Sequence, residues 1–223
     1  MQCLICDKEI IVEQNWTNFL WPPLPKNLCT DCEDKLSYID SLRCDVCARN
    51  GIHGVCHDCK VWQVNERVLT KNEAVFRYNT HIQEWIARWK YRGDYQIGHI
   101  FKDAWCQHFH KTYARQLKDY IIVPIPLSKE REKERGFNQA EMLAQFLSPH
   151  IHLILERSHS EKQSKKSKRA RLSSKNPFHL RKTIKKPVIL VDDIYTTGIT
   201  LRHAANVLIE HGVPVVYSYT LIR

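Results

Sequence analysis

The sequence predicts an α/β protein: a mainly parallel sheet with helices packed against it, preceded by a small cysteine-rich domain. Three observations carry that reading. Residues 188–191 are four consecutive β-favouring apolar side chains, which suits a strand buried on both faces of a parallel sheet, and an amphipathic helix follows closely. From residue 74 to residue 147, strand-like and helix-like patterns alternate. Eight of the nine cysteines form four Cys-x-x-Cys pairs within the first 60 residues. At 223 residues the chain has room for one ordinary domain and a small extra one. The boundary is placed to give domains over 1–66 and 67–223.

The pairs are Cys3/Cys6, Cys29/Cys32, Cys44/Cys47 and Cys56/Cys59. Two thiolates on one tight turn can reach the same tetrahedral Zn²⁺ at about 2.3 Å, and two such turns fill its shell. Four pairs therefore predict two closed, structural zinc sites. So few aliphatic residues cannot easily sustain a core of their own, and metal ligation supplies the missing folding energy. A secreted disulfide framework would need a signal peptide, and a redox dithiol would need only one pair. Consecutive pairing comes first and an interleaved arrangement second. His53 and His57 are read as bystanders, and Cys106 as a thiol in a helix without a ligand role.

In the middle of the chain, residues 74–78 read as a strand. Thr80 is the expected cap of a helix whose Ile82, Trp85, Ile86 and Trp89 share one face and which ends at Gly93. A second helix is expected over 97–117. Residues 120–125 read as a buried strand stopped by Pro124 and Pro126, residues 138–147 as an amphipathic helix, and residues 213–222 as a closing strand. In the helix after the 188–191 strand, Leu201, Ala204, Ala205, Leu208 and Ile209 line one face, and Gly212 supplies the stop.

Between that strand and that helix lie Asp192, Asp193 and a Thr196-Thr197-Gly198-Ile199-Thr200 loop. In a strand–loop–helix unit, ligands bind at the strand's carboxyl end. A hydroxyl-rich loop at a helix N-terminus offers free N–H groups and a positive dipole end to a phosphate. Two carboxylates beside it can accept hydrogen bonds from adjacent hydroxyls, so the pattern fits a ribose 5-phosphate. The loop over residues 131–139, after the 120–125 strand, is expected to meet a second anion: Arg131 and Arg135 provide fork-shaped donors, and Gly136 allows close backbone approach. Lys90, Tyr91, Arg92 and Gly93 read more simply as a basic helix C-terminus.

This apolar strand, acidic pair and Thr-Gly-x-Thr loop resemble the signature of type I phosphoribosyltransferases. A receiver-type phosphoacceptor domain places its acidic pair early in the domain, which excludes it here. In the same order along nearly the whole chain come four Cys-x-x-Cys pairs, Lys-Tyr-Arg-Gly-Asp, Val-Pro-Ile-Pro, Arg-Gly-Phe-Asn-Gln-Ala and Val-Asp-Asp-Ile-Tyr-Thr-Thr-Gly. Together they resemble the ComF/GntX family, an amidophosphoribosyltransferase-like group with members in bacterial competence. The resemblance implies a zinc-finger domain on a phosphoribosyltransferase fold, and a role in natural transformation through the handling of incoming single-stranded DNA. It also implies that Asp192 and Asp193 hold the ribose 2′- and 3′-hydroxyls. Thr196, Thr197, Gly198 and Thr200 would cradle the 5′-phosphate, and Arg135 and Gly136 would face the pyrophosphate with Mg²⁺. The implied ligand is 5-phosphoribosyl 1-diphosphate or ribose 5-phosphate. No base for a nucleobase acceptor is recognisable, so the chain is expected to bind this donor with or without acting as a phosphoribosyltransferase. A salvage transferase with no DNA role is the alternative.

Charge separates those two functions. The chain carries a formal +10, and residues 156–186 alone hold twelve Lys/Arg against two acids. Such a Ser/Lys/Arg-rich segment reads as a loop rather than a packed element. Twelve cations exceed what one diphosphate needs, and the surplus suits a nucleic-acid backbone. Trp16, Trp21 and Trp62 are further candidates for stacking bases. Competence-machinery proteins are the other expected partners. No apolar run approaches the ~18 residues of a membrane span, and no basic-then-apolar leader precedes Cys3, Asp7 and Glu9. A cytoplasmic location is expected.

Overall fold

The computed structural model describes residues 1–11, 26–65, 68–91, 93–113, 119–158 and 176–223. Four strands, β1 (Asn72–Phe76), β2 (Ile121–Pro124), β5 (Val188–Ile194) and β6 (Val216–Ile222), form an all-parallel sheet in the order β1-β6-β5-β2. Each β5 residue from Val188 to Val191 is buried, as an inner strand of such a sheet requires. Alternation along the strands splits the interior in two. Ile189, Val191 and Ile122 point into one core, and Val188, Leu190, Ile121 and Val123 into the other.

The first core holds α3 (Thr80–Tyr91), a 3₁₀ turn over Tyr95–Phe101, α4 (Lys102–Tyr113) and α6 (Gln139–Leu147). The second holds α7 (Ile199–Glu210), whose Leu201, Ala204, Ala205 and Leu208 form the expected stripe. The cysteines divide between the same two cores. Cys3 and Cys32 belong to the first, whereas Cys44, Cys47, Cys56 and Cys59 belong to the second. The linking segment runs antiparallel along β1, with Ile39 N–H donating to Val75 O and Arg77 N–H to Ser37 O. It thereby covers the free edge of the sheet.

Several elements depart from the sequence expectation. Asn79, not Thr80, caps α3: its Oδ1 accepts from Ile82 N–H at 2.7 Å. The helix expected over 97–117 opens as the 3₁₀ turn and becomes α-helical only at Lys102, and residues 114–118 lie outside the described residues. The expected loop 131–139 is instead largely helix α5 (Lys129–Arg135) followed by the start of α6. Finally, the two ends of the basic segment pair as an antiparallel ribbon, β3 (Leu155–Arg157) with β4 (Phe178–Leu180). Its remaining basic residues between 159 and 175, like Trp16 and Trp21, lie outside the described residues.

Candidate functional site

The two cysteine centres repeat one design. Residues 2–9 and 43–50 form matching knuckles. In each, a bridge closes the base (Gln2 with Glu9, Arg43 with Asn50), and the residue after the second cysteine takes positive φ (Asp7 59°, Ala48 57°). The other cysteine pair lies at a helix start, on α1 (Thr30–Glu33) or α2 (His57–Asn65). Even the ion pairs correspond: Lys8 meets Asp31 at 2.8 Å, and Arg49 meets Asp58 at 2.7 Å.

Within each group, Cys3/Cys6/Cys29/Cys32 or Cys44/Cys47/Cys56/Cys59, the sulfurs all lie within 4.8 Å of one another. Cys6 and Cys29 approach to 3.6 Å and Cys47 and Cys56 to 3.8 Å. A tetrahedron with 2.3 Å Zn–S bonds separates its sulfurs by about 3.8 Å. Donor type and spacing therefore fit a four-thiolate metal centre, with cysteines paired consecutively. Hydrogen bonding by Cys59, followed by Arg223, holds the Cys47 thiol down at about 4, against the cost of its burial.

At the carboxyl end of β5 the sheet presents its acidic pair. Asp193 is 8% exposed and forms an ion pair with Lys90 of α3 at 2.5 Å. Asp192 accepts from the Asp193 N–H at 2.9 Å. Burial in the cleft, then repulsion from Asp193, pushes the Asp192 carboxyl up to about 7, with Lys90 and Arg157 partly offsetting them. Next along the chain, Gly198 takes φ 78° and starts α7, whose N-terminus has no side-chain cap. A Cβ on Gly198 would lie 2.2 Å from the Tyr195 Oη, so only glycine allows both the turn and the ring beneath it.

A cleft of about 200 Å³ lies in front of these residues. Asp192, Asp193, Thr196 and Thr200 line it together with Lys90, Arg131, Arg135 and Arg157. Gly136, Thr197 and Gly198 are not among its lining residues. Gly136 takes φ 78° and ends α5, its N–H donating to Glu132 O. Arg135 is held by Gln139, donating to its Oε1 at 2.9 Å, and stacks 5.6 Å above Tyr91. Gln139 is itself 1% exposed, and its Nε2 has no hydrogen-bond partner among the described residues.

Two lining residues escape the sequence reading. Lys90 stands in a motif that reads as a helix end, and its acidic partner lies far along the chain. Arg157 is one of twelve basic residues in its segment, and only the β3–β4 pairing, with its guanidinium 5.4 Å above Phe178, aims it into the cleft. Burial, then Arg131, lowers its proton affinity, while Asp192 opposes them. Trp62 meets the Arg202 guanidinium at 4.7 Å, which gives this ring a packing partner.

The parallel sheet, the acidic strand end and the hydroxyl loop define a phosphoribosyltransferase-type domain. Residues 133–223 match the phosphoribosyl transferase domain family. The whole chain is also similar to Competence protein ComFC of Bacillus subtilis (strain 168), at 41% identity over 99% of this chain and 94% of the relative. Competence protein ComFC of Streptococcus pneumoniae is 31% identical, with both chains covered in full. DNA utilization protein YhgH of Escherichia coli O157:H7 is 32% identical over 52% of this chain and 54% of its own length. The chain belongs to the ComFC branch of the ComF/GntX family. Among the described residues, no helix is long and apolar enough to cross a membrane.

Proposed function

We propose that the cleft binds 5-phosphoribosyl 1-diphosphate, or ribose 5-phosphate, and that the chain serves DNA uptake in competence. One observation carries the ligand reading: an acidic pair, two threonines of the hydroxyl loop and three arginines line a single cleft. The 5′-phosphate would sit on Thr196, Thr197, Gly198 and Thr200 at the α7 N-terminus. Asp192 and Asp193 would take the ribose hydroxyls, and Arg131, Arg135 and Arg157 the diphosphate. With Lys90 paired to Asp193, Asp192 would be the acid that also meets the hydration shell of Mg²⁺. Mg²⁺, arriving with the diphosphate, would supply charge neutralisation of the leaving group. The carboxylates would favour positive charge building on the sugar, and the arginines negative charge on the diphosphate.

The two four-cysteine centres would each hold a structural zinc, since a closed thiolate shell leaves no position for substrate. The domain boundary after residue 66 belongs to the same proposal, as does a cytoplasmic location. The DNA role is supported by the names of the relatives and by the basic segment. Of that segment, Lys182, Lys185 and Lys186 are described and exposed.

Titration calorimetry with Mg²⁺ tests the ligand reading, and equal silence of wild type and Asp192→Asn/Asp193→Asn would end it. Binding to labelled single-stranded DNA at two salt concentrations tests the other half. Steep weakening by salt, lost when Lys165, Lys166, Lys168 and Arg169 become alanine, is the expected result. Absent or salt-insensitive binding together with turnover of a free base would make the chain a salvage transferase.

A further inference from the structure

We infer that Arg223 joins the second four-cysteine centre and the 196–200 loop into one binding unit, so that metal on the first partner and a phosphorylated ribose on the second bind cooperatively. The inference rests on the ligand reading above and adds to it a positioning residue and a direction of control.

Arg223 follows β6, and its backbone N–H is anchored on Phe76 O at 2.9 Å. Its guanidinium then spans two sites. Toward the cysteines, Nε donates to Cys47 O at 3.1 Å and Nη2 to Cys47 Sγ at 3.2 Å. Toward the loop, Nη1 donates to Tyr195 O at 3.2 Å and to Thr196 O at 2.9 Å. The same guanidinium stacks 4.6 Å from the Tyr195 ring, and that ring packs beneath Gly198. A continuous series of contacts therefore runs from a sulfur of the metal centre to the turn that starts α7.

A planar fork of donors can satisfy both sides only while both sides hold their positions. A metal ion would fix the position of the Cys47 sulfur that accepts from the charged donor. Without the ion, the Cys47 sulfur lacks that metal bond, and one end of the fork is held less rigidly. The carbonyls of Tyr195 and Thr196 then lose a rigid donor directly beneath the loop. Coupling between two sites is reciprocal, so a ligand that fixes the loop also fixes Arg223 and tightens the metal. The other centre serves as an internal control. Its knuckle is fastened by Arg88 donating to Ile5 O and Asn27 donating to His99 O, on the opposite face of the sheet.

The test is equilibrium competition for zinc between the full chain and a chromophoric chelator, with and without saturating ribose 5-phosphate. One of two zinc ions is expected to be held about tenfold more tightly with the sugar present, within the usual range of coupling between sites, and the other to be unaffected. In Arg223→Lys and Arg223→Gln the difference should shrink to twofold or less. Binding of the sugar to wild type with no change in either zinc affinity would overturn the inference and leave the ligand reading standing. Coupling that survives in both variants would do the same. The wild-type comparison is decisive without any variant having to fold. Failure of calorimetry to detect either ribose 5-phosphate or 5-phosphoribosyl 1-diphosphate with Mg²⁺ would overturn the ligand reading and this inference with it.

Discussion

Asp192→Asn should make the protein more stable at pH 8 while removing its affinity for phosphorylated ribose. The native carboxyl is raised from 3.8 to about 7, first by burial and then by Asp193. An acid whose folded pKa lies above its unfolded value contributes stability that is complete below about pH 4. That contribution disappears as pH rises through about 7. At about 1.4 kcal/mol for each tenfold change in proton affinity, the ionised carboxylate costs the fold as much as about 4 kcal/mol above pH 7. Asparagine cannot ionise, so the variant avoids that cost, and its Oδ1 can still accept from the Asp193 N–H, though more weakly than a carboxylate oxygen. The expected gain at pH 8 is a few kcal/mol, with about 4 kcal/mol as its upper bound. Urea denaturation of the zinc-loaded proteins at pH 5 and pH 8 measures it, with the cysteine centres common to both chains cancelling in the difference. A variant no more stable than wild type at pH 8 would refute the argument that burial, then Asp193, makes the ionised Asp192 costly to the fold. A gain equal at both pH values would refute it as well.

Replacing Arg157 with glutamine should weaken binding of 5-phosphoribosyl 1-diphosphate about tenfold, one lost charged contact, while ribose 5-phosphate affinity stays within twofold by calorimetry. Equal loss for both ligands would move Arg157 away from the diphosphate. Gly136 and Gly198, both left-handed, should behave differently: Gly136→Ala meets open space and should cost about 1 kcal/mol. By contrast, Gly198→Ala drives a methyl into Tyr195 and should cost about 3 kcal/mol or more by thermal unfolding. Elemental analysis of freshly purified protein should return two zinc ions per chain, and chelation of both should unfold the knuckles as seen by circular dichroism. One ion or none would rule out two structural zinc centres.

What sequence reasoning could reach was set by how local each signal is. The β5 strand, the α7 stripe and the four cysteine pairs are each written within a dozen residues, and all three are found in the structure. Helix α5 escaped because it buries nothing, so no apolar period announces it. Its signals were the Ser128 cap, acids in the first turn, Lys133 and Arg135 in the last, and Gly136 as the stop. The β3–β4 ribbon is too short for a period to show. Lys90 acquires its meaning only from Asp193, and Arg223 only from Cys47. Neither pairing exists until the sheet has formed, which is why the chemistry of the strand end was legible and its electrostatic setting was not.

The strand order has a consequence for how the chain acquires its structure. β1 makes its parallel pairing with β6, where Asn72 lies opposite Ser218, and the Asn72 side chain also bonds Ser218 and Thr220 across 146 and 148 residues of chain. Such distant partners make a sheet slow to close. The cysteine pairs are local by comparison, since each centre is complete within 30 residues or fewer. A nascent chain can therefore lock both knuckles with metal long before β6 emerges, and the segment over 37–39 can shield one edge of β1 during the wait. Zinc supply during synthesis would then govern how much chain reaches the native sheet, and starvation for the metal would first appear as lost yield of folded protein.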